Sequence, residues 1–457
     1  MERFLVIIII AVMSGSCAKF HAEPLSTEQT SASYLSRTLD DPGLQKYIQD
    51  SLHKETVPWP PQSWDFTLLT LAAFYYSPDL ELARAQWAEA LAGEITAAEL
   101  PNPTLDLVIN LEVMLSIPVE TAGKRGYRKE QAKHLSEAAR WNIEAEAWRV
   151  RSHVRRSLLD LYSDQQQKLL LDDQMKLNEQ MVGLLQNRLR AGEVAQFELG
   201  RAQIERDQAR KLLSELETRT ATDRATLAAA LGVPAPALAG IEFNFDLFEL
   251  PPPELDLNQL KDKALQNRPD ILQALAEYEA AQSALQLEIA KQYPDLSIGP
   301  GYEWGKGVNE WRVGISMTLP VFNQNQGGIA QAKARRTKAA GRFIALQAAV
   351  IAELDRSLAE YQGTLRELES ADSVLISQDK QRRSAEAMFN AGETDRIDLL
   401  DAQMRYLSAR ASRLTAALNA QTALGYVEDA AQYSLIPAGG PFGDLSQNPR
   451  PKEGTQT

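Results

Sequence analysis

From Val119 to Val233, and again from Val321 to Ile436, the chain contains no proline. Both runs are rich in Ala, Leu, Glu, Gln, Arg and Lys, which enter a helix at little cost, whereas an interior proline costs about 3 kcal/mol. Each run is predicted to be helical over most of its length. In the first, Ile143, Ala147, Val150, Val154, Leu158 and Leu161 recur at steps of four, three, four, four and three, the seam of a coiled coil. A helix from about Gly126 to Arg190 would extend about 100 Å at 1.5 Å per residue. So long a helix needs a partner along its length, and the segment after the next turn is expected to supply it.

Both runs carry the same phrase. "AGEVAQFELGRAQ" begins at Ala191 and "AGETDRIDLLDAQ" at Ala391. Gly192 and Gly392 stand where a helix must stop and reverse, since glycine alone takes the left-handed backbone cheaply. Residues 191–193 and 391–393 are thus predicted to be the tips of two helical hairpins lying side by side. Thr394 or Asp395 can cap the outgoing helix of the second, whereas Val194 and Ala195 offer the first no good cap.

The duplication extends upstream. "SPDLELARAQWAEA" from Ser77 aligns with "RPDILQALAEYEAA" from Arg268, and in each copy a second proline-led element, at Pro103 or Pro294, follows 25 residues after the first proline. The expected organisation is a mainly α fold with a small β part, built from a two-fold internal repeat. The first repeat spans 65–240, with its β segment at 103–118; a linker covers 241–266. The second repeat spans 267–436, with its β segment at 294–320. A strap at 17–64 precedes them, and a Gly/Pro-rich tail, 437–457, follows.

The β segments differ in length. Leu296 to Trp304 and Trp311 to Leu319 flank "GKGVNE", and Trp311, Val313, Ile315, Met317 and Leu319 alternate with Arg312, Gly314, Ser316 and Thr318. Apolar residues on one face, with Trp304 and Trp311 near the turn, form the pattern of a membrane-barrel hairpin whose arms are long enough to cross a bilayer. In the first copy Leu105 to Ile117 also alternate, but 14 residues separate Pro103 from Pro118 where 25 separate Pro294 from Pro320. About six residues per arm are too few to span a bilayer alone. Strands of an ordinary soluble sheet would alternate in the same way.

At the amino terminus, "MERFLVIIIIAVMSGSC" has an apolar stretch from Phe4 to Met13, the form of a secretory signal over 1–16. Gly15-Ser16 before Cys17 is similar to a bacterial lipoprotein processing site, although Ser14 stands where an aliphatic residue is usual; the alternative is an ordinary signal followed by a free cysteine. Lipidation would tether Cys17 to a membrane surface. With a net charge of −13, a nucleic-acid-binding surface is not expected. One cysteine and four scattered histidines, His21, His53, His134 and His153, give neither a disulfide framework nor a metal cluster.

These features together resemble the TolC-type outer-membrane efflux family, from about Asp65 to Ala431. The resemblance is carried by "LPNPTLDL" at Leu100, "IPVETAGKR" at Ile117, "GYEWGKGVNEWRVGISMTLPVF" at Gly301, and the two AGE tips with Ala-Gln at 202–203 and 402–403. It implies a homotrimer forming a shared β-barrel in the outer membrane and a helical tunnel in the periplasm. Such a duct meets a periplasmic adaptor at its tips, here Arg190, Ala191, Gly192, Glu193, Ala391, Gly392 and Glu393. An inner-membrane transporter, of the resistance–nodulation–division type, drives it. The resemblance places the tunnel constriction at Asp398 and Asp401, which share a helix face and would be tripled into rings of negative charge. They could instead simply favour the helix macrodipole. The first copy has Glu198 and Arg201 there. The chain departs from the family in its short first hairpin and in Thr394, where a basic residue is often found, with Arg396 nearby.

No catalytic triad, phosphate loop, cofactor motif or metal-ligand cluster is apparent, so a passive channel rather than an enzyme is expected. The short hairpin leaves open a non-conducting lipoprotein scaffold that binds adaptors. A periplasmic adaptor would instead carry a single hairpin set in compact β domains.

Overall fold

The computed structural model describes residues 19–435, apart from 55–56, 109–111, 254, 256 and 306–307. The signal segment, Cys17 and the tail from 437 lie outside the described residues. Two short helices, α1 (Thr27–Leu35) and α2 (Pro42–Leu52), precede α3 (Phe66–Tyr76) and α4 (Pro78–Ala98). The strands β1 (Thr104–Val108) and β2 (Glu112–Val119) lead into α5 (Lys124–Ala191), and α6 (Gln196–Leu231) returns. After α7 (Leu257–Asn267) the same order recurs: α8 (Pro269–Ala290), β3 (Leu296–Gly305), β4 (Val308–Met317), α9 (Gln326–Asn390) and α10 (Arg396–Ala431).

The seam on α5 is buried throughout, from Ile143 to Leu161, but its partner differs from the expected one. At about 1.5 Å per residue, the 68 residues of α5 outrun the 36 of α6, so α6 covers only the tip-ward half. The other half packs on α4 and α8, and the seam joins Leu69, Leu80, Ala83, Leu227 and Leu231 in one core. Near the sheet the helices therefore run in the order α4, α5, α8, α9; toward the tips they run α6, α5, α10, α9. Among the described helices only α5 and α9 traverse the full length.

Where α5 meets α10, a buried ionic group joins the two halves. Glu428 is fully buried; Arg151 reaches it at 3.2 Å and Arg155 at 3.4 Å. Arg155 also donates to the Gln421 carbonyl at 2.9 Å. A Cβ at Gly425 would lie 2.3 Å from the Arg155 guanidinium, so glycine leaves room for that group. Burial costs such charges dearly unless each is paired and hydrogen-bonded, and here the carboxylate also accepts from the Leu435 N–H at 2.9 Å.

The strap is stapled to helix ends. Arg37 donates to the carbonyls of Tyr76 at 3.2 Å and Gly232 at 2.7 Å, and Tyr34 donates to that of Val233 at 2.9 Å. These are C-terminal carbonyls with no partner inside their own helices. Residues 241–266, which read as a linker in the sequence, pair with Trp64 through Phe243 and contain most of α7, whose Leu260 and Ala264 belong to the core under α9 and α10.

The four strands form one antiparallel sheet in sequence order, so β2 and β3 join the two repeats. The expected six-residue turn is shorter: β3 continues to Gly305 and β4 starts at Val308, while β4 ends at Met317 instead of Leu319. Pro118 does not close its strand but pairs with Ser297 inside β2. Since β1 reaches no further than Ser116, one edge of Pro118 faces no strand, and the missing N–H leaves no ladder bond broken.

Candidate functional site

The tips are near copies in backbone and unlike in side chains. At each, glycine adopts φ of 75°; Gly192 N–H donates to Leu189 O and Glu193 N–H to Arg188 O, while Gly392 donates to Phe389 O and Glu393 to Met388 O. These bonds satisfy carbonyls that the helix end leaves over. Arg190, Ala191, Gly192, Glu193, Ala391, Gly392 and Glu393 are all exposed. The first outgoing helix has Ala195 as its N-cap, with no side-chain cap bond. The second has Asp395 as N-cap in a reciprocal capping box with Asp398.

Asp398 and Asp401 are both exposed, while Leu399 and Leu400 between them are buried. Asp398 accepts from the Thr394 hydroxyl at 2.7 Å and the Asp395 N–H at 3.4 Å, so one of the two carboxylates organises the helix start. Asp401, a turn further on, has no hydrogen-bond or ion-pair partner among the described residues. In the first hairpin Glu198 and Arg201 are exposed, and Arg201 pairs along its helix with Glu205 at 3.3 Å.

The tips are tied together by a pair the sequence did not indicate. Arg188, in the last turn of α5, meets Asp395 at 2.5 Å. Ile397 packs against the cluster of Val182, Leu185, Leu199 and Ala202, and Arg396 donates to Gln180 at 3.1 Å. The Arg188 hydrogen bond holds the Asp395 carboxyl below its usual range. A comparison of the two copies contained the signal: Arg188 and Asp395 stand where the other copy has Met388 and Ala195.

At the opposite end, register assigns each side chain to a face. Leu105 pairs with Leu115 and Leu107 with Val113; Val113 pairs with Tyr302 and Ile117 with Ile298; Tyr302 pairs with Trp311, Pro300 with Val313 and Ile298 with Ile315. One face is therefore continuous apolar surface across all four strands, and Leu107, Trp311, Val313 and Ile315 stand exposed on it. The other face carries Asp106, Ser297, Gly299, Gly301, Glu303, Arg312, Gly314 and Ser316, with Arg312 and Glu303 paired at 2.7 Å. Trp304 stacks on Tyr302 at 6.2 Å and Trp311 approaches the same ring at 5.1 Å, an aromatic group near the turn. The ten-residue arms of β3 and β4 are about 33 Å long, enough for a tilted strand to cross an apolar band about 25 Å tall. The five residues of β1 are not. No described helix is long and apolar enough to cross a membrane. Among the described residues no group of His, Cys, Asp or Glu side chains is arranged to hold a metal ion.

The chain is similar to known proteins. The chain is 25% identical over 345 residues to the cobalt-zinc-cadmium resistance protein CzcC of Cupriavidus metallidurans, covering 73% of this chain and 81% of that one. It is 26% identical over 291 residues to the pyoverdine export outer membrane protein OpmQ of Pseudomonas aeruginosa, covering 60% of each. In fold it is similar to the outer membrane protein VceC of Vibrio cholerae, with a TM-score of 0.66 at 16% identity over 81% of this chain and 97% of that one. The sequence profile described as outer membrane efflux protein matches residues 76–233 and 260–429, which hold both hairpins and all four strands, and the chain belongs to that family.

Proposed function

We propose that this outer membrane efflux protein is the passive exit duct of a tripartite system, a homotrimer whose tunnel narrows at Asp398 and Asp401. The open sheet carries this reading. Lipid supplies no hydrogen bonds to unpaired strand edges, so only closed barrels and helices span a bilayer. Among the described residues β1 and β4 each have a neighbour on one side only, and these four strands are too few to close a barrel. Further copies must complete it, and three copies make a barrel of 12 strands while bringing Asp398 and Asp401 into threefold rings. With β2 paired to β3 in one register over Glu112–Met114 and again over Ile117–Val119, the short first hairpin stays joined to the second, which weighs against a closed scaffold.

The tips suit an adaptor. Phe197, 78% exposed beside the first tip, is an apolar anchor among Arg190, Glu193 and Arg201, whereas the second tip presents acidic Asp398 and Asp401. The first hairpin thus meets the adaptor and the second controls the lumen. Cys17 carries the lipid that holds the strap to the membrane, and an inner-membrane pump of the resistance–nodulation–division type supplies the cargo, small molecules or metal ions. Native mass spectrometry of the detergent-solubilised protein tests the assembly: a trimer is expected, and a stable monomer or dimer under all mild conditions contradicts it.

A further inference from the structure

The two edges of the helical layer near the sheet carry opposite charge. At one edge α4 bears Asp79, Glu81, Glu89 and Glu94 against a single basic residue, the buried Arg84. At the other edge the sheet-proximal part of α9 bears Lys333, Arg335, Arg336, Lys338 and Arg342, with no acid from 326 to 350. Glu89 and Lys338 are exposed, and neither has a hydrogen-bond or ion-pair partner among the described residues.

The internal repeat contains a template for what these edges meet. Helices α4 and α8 correspond at an offset of 191 residues, Ser77 to Arg268, and α5 and α9 at an offset of 200, which aligns Gln-Ala-Lys at 131–133 with 331–333 and Arg-Ser-Leu at 156–158 with 356–358. Where the repeats join, α5 packs on α8. Glu277 and Glu288 mark the α9 side of α8, since they bond Arg342 and Asn325; Ala276, Ala280 and Ser283 occupy another face, left for α5, and are buried. Their counterparts on α4, which are Ala85, Glu89 and Ala92, are exposed. On α5 the counterpart of Lys338 is Ala138, 5% exposed. Lys124 donates to the Tyr293 carbonyl at 2.6 Å and so ties the sheet-side ends of α5 and α8 together. Ala138 lies two heptads from Lys124, on the same side of α5. From that tie Ala138 and Ala280 each lie about 20 Å along their antiparallel helices, at one level of the contact. The outer counterparts of these two alanines are Lys338 and Glu89, a cation and an anion.

We propose that α4 and the sheet-proximal half of α9 form a head-to-tail contact between copies of this chain, in which Glu89 of one copy pairs with Lys338 of the next. The contact rests on the trimeric reading and names the surfaces that close it. Exposed Ala85 and Ala92 beside Glu89, and Ala334 and Ala345 beside Lys338, keep both edges flat enough for the helices to touch. Pairing α4 with α4, or α9 with α9, juxtaposes like charges and is disfavoured. The charges thus select a heterologous contact, which closes as a ring, over a two-fold dimer.

The test is a dilution series of the full-length protein in detergent, followed by native mass spectrometry, for wild type, Glu89→Lys, Lys338→Glu and the double variant Glu89→Lys/Lys338→Glu. Each single reversal sets like charges across every contact, and its trimer should dissociate at about tenfold higher protein concentration than wild type. The double variant restores opposite charges and should return to the wild-type value. Carbodiimide coupling of wild-type trimers should join the Glu89 carboxyl to the Lys338 amine, a link that α5 and α8, lying between the two edges, keep a single chain from making. Unchanged dissociation in both single variants, no restoration in the double variant, or trimers that yield no such link overturn the contact and leave the trimer in place. A wild type that forms no trimer at any concentration overturns both.

Discussion

Asp398 and Asp401 are one helical turn apart and do different work. Asp398 closes the capping box with Asp395, so Asp398→Ala should fray the first turn of α10, read as lost exchange protection at 395–399, and change conductance for that reason alone. Asp401 has no such duty, and in the proposed trimer Asp401→Asn should remove three charges from the lumen, lowering cation selectivity with the melting temperature unchanged. Arg188→Ala should release Asp395, free the second tip from the first and raise single-channel conductance. Because the Asp395 carboxyl is held down by Arg188, the tie is present above the ordinary aspartate range and weakens as pH falls through the lowered value. Wild-type tips should loosen in acid, and Arg188→Ala should show no such step. Gly192 and Gly392 were legible in the sequence because a reversal after a long helix calls for that residue. Arg188 and Asp395 were not, because a pair separated by 207 positions leaves no local pattern.

At the scale of elements, a proline-free run and a three-four seam are enough to foresee α5, but not what covers it. The periodicity of one helix states that a face is buried and says nothing about which helix lies on it, so the exchange of α6 for α4 and α8 along α5 appears only in the packing. The Arg151–Glu428–Arg155 group is hidden for the same reason. Removing one member leaves a charge buried without its counterpart, so Glu428→Ala should cost about 3–5 kcal/mol, measured as a lowered melting temperature of the detergent-solubilised protein. Strand pattern is more informative, since register follows from alternation. It assigns the exposed face correctly and misjudges only the strand ends, where Pro118 reads as a stop although an edge lacking a partner tolerates proline. Beside the first tip, Phe197→Asp should abolish capture of the chain's cognate adaptor without altering conductance, because the residue is exposed. Unaltered capture removes Phe197 from the docking surface.

For the whole molecule, an open sheet with one apolar face, two hairpins reaching away from it and tips of unequal charge are what the proposed trimeric duct requires of each copy. In the proposed duct further copies close the sheet, the helices α5 and α9 set the tunnel's length, and the second tip sets its narrowest point. The measurement that tests this most directly is ion conductance of the purified protein in planar lipid bilayers, wild type beside Asp401→Asn. The account predicts discrete cation-selective current in wild type and reduced selectivity in the variant. Silence in both, with trimers present in the bilayer, would contradict it and leave a closed scaffold in place of a channel.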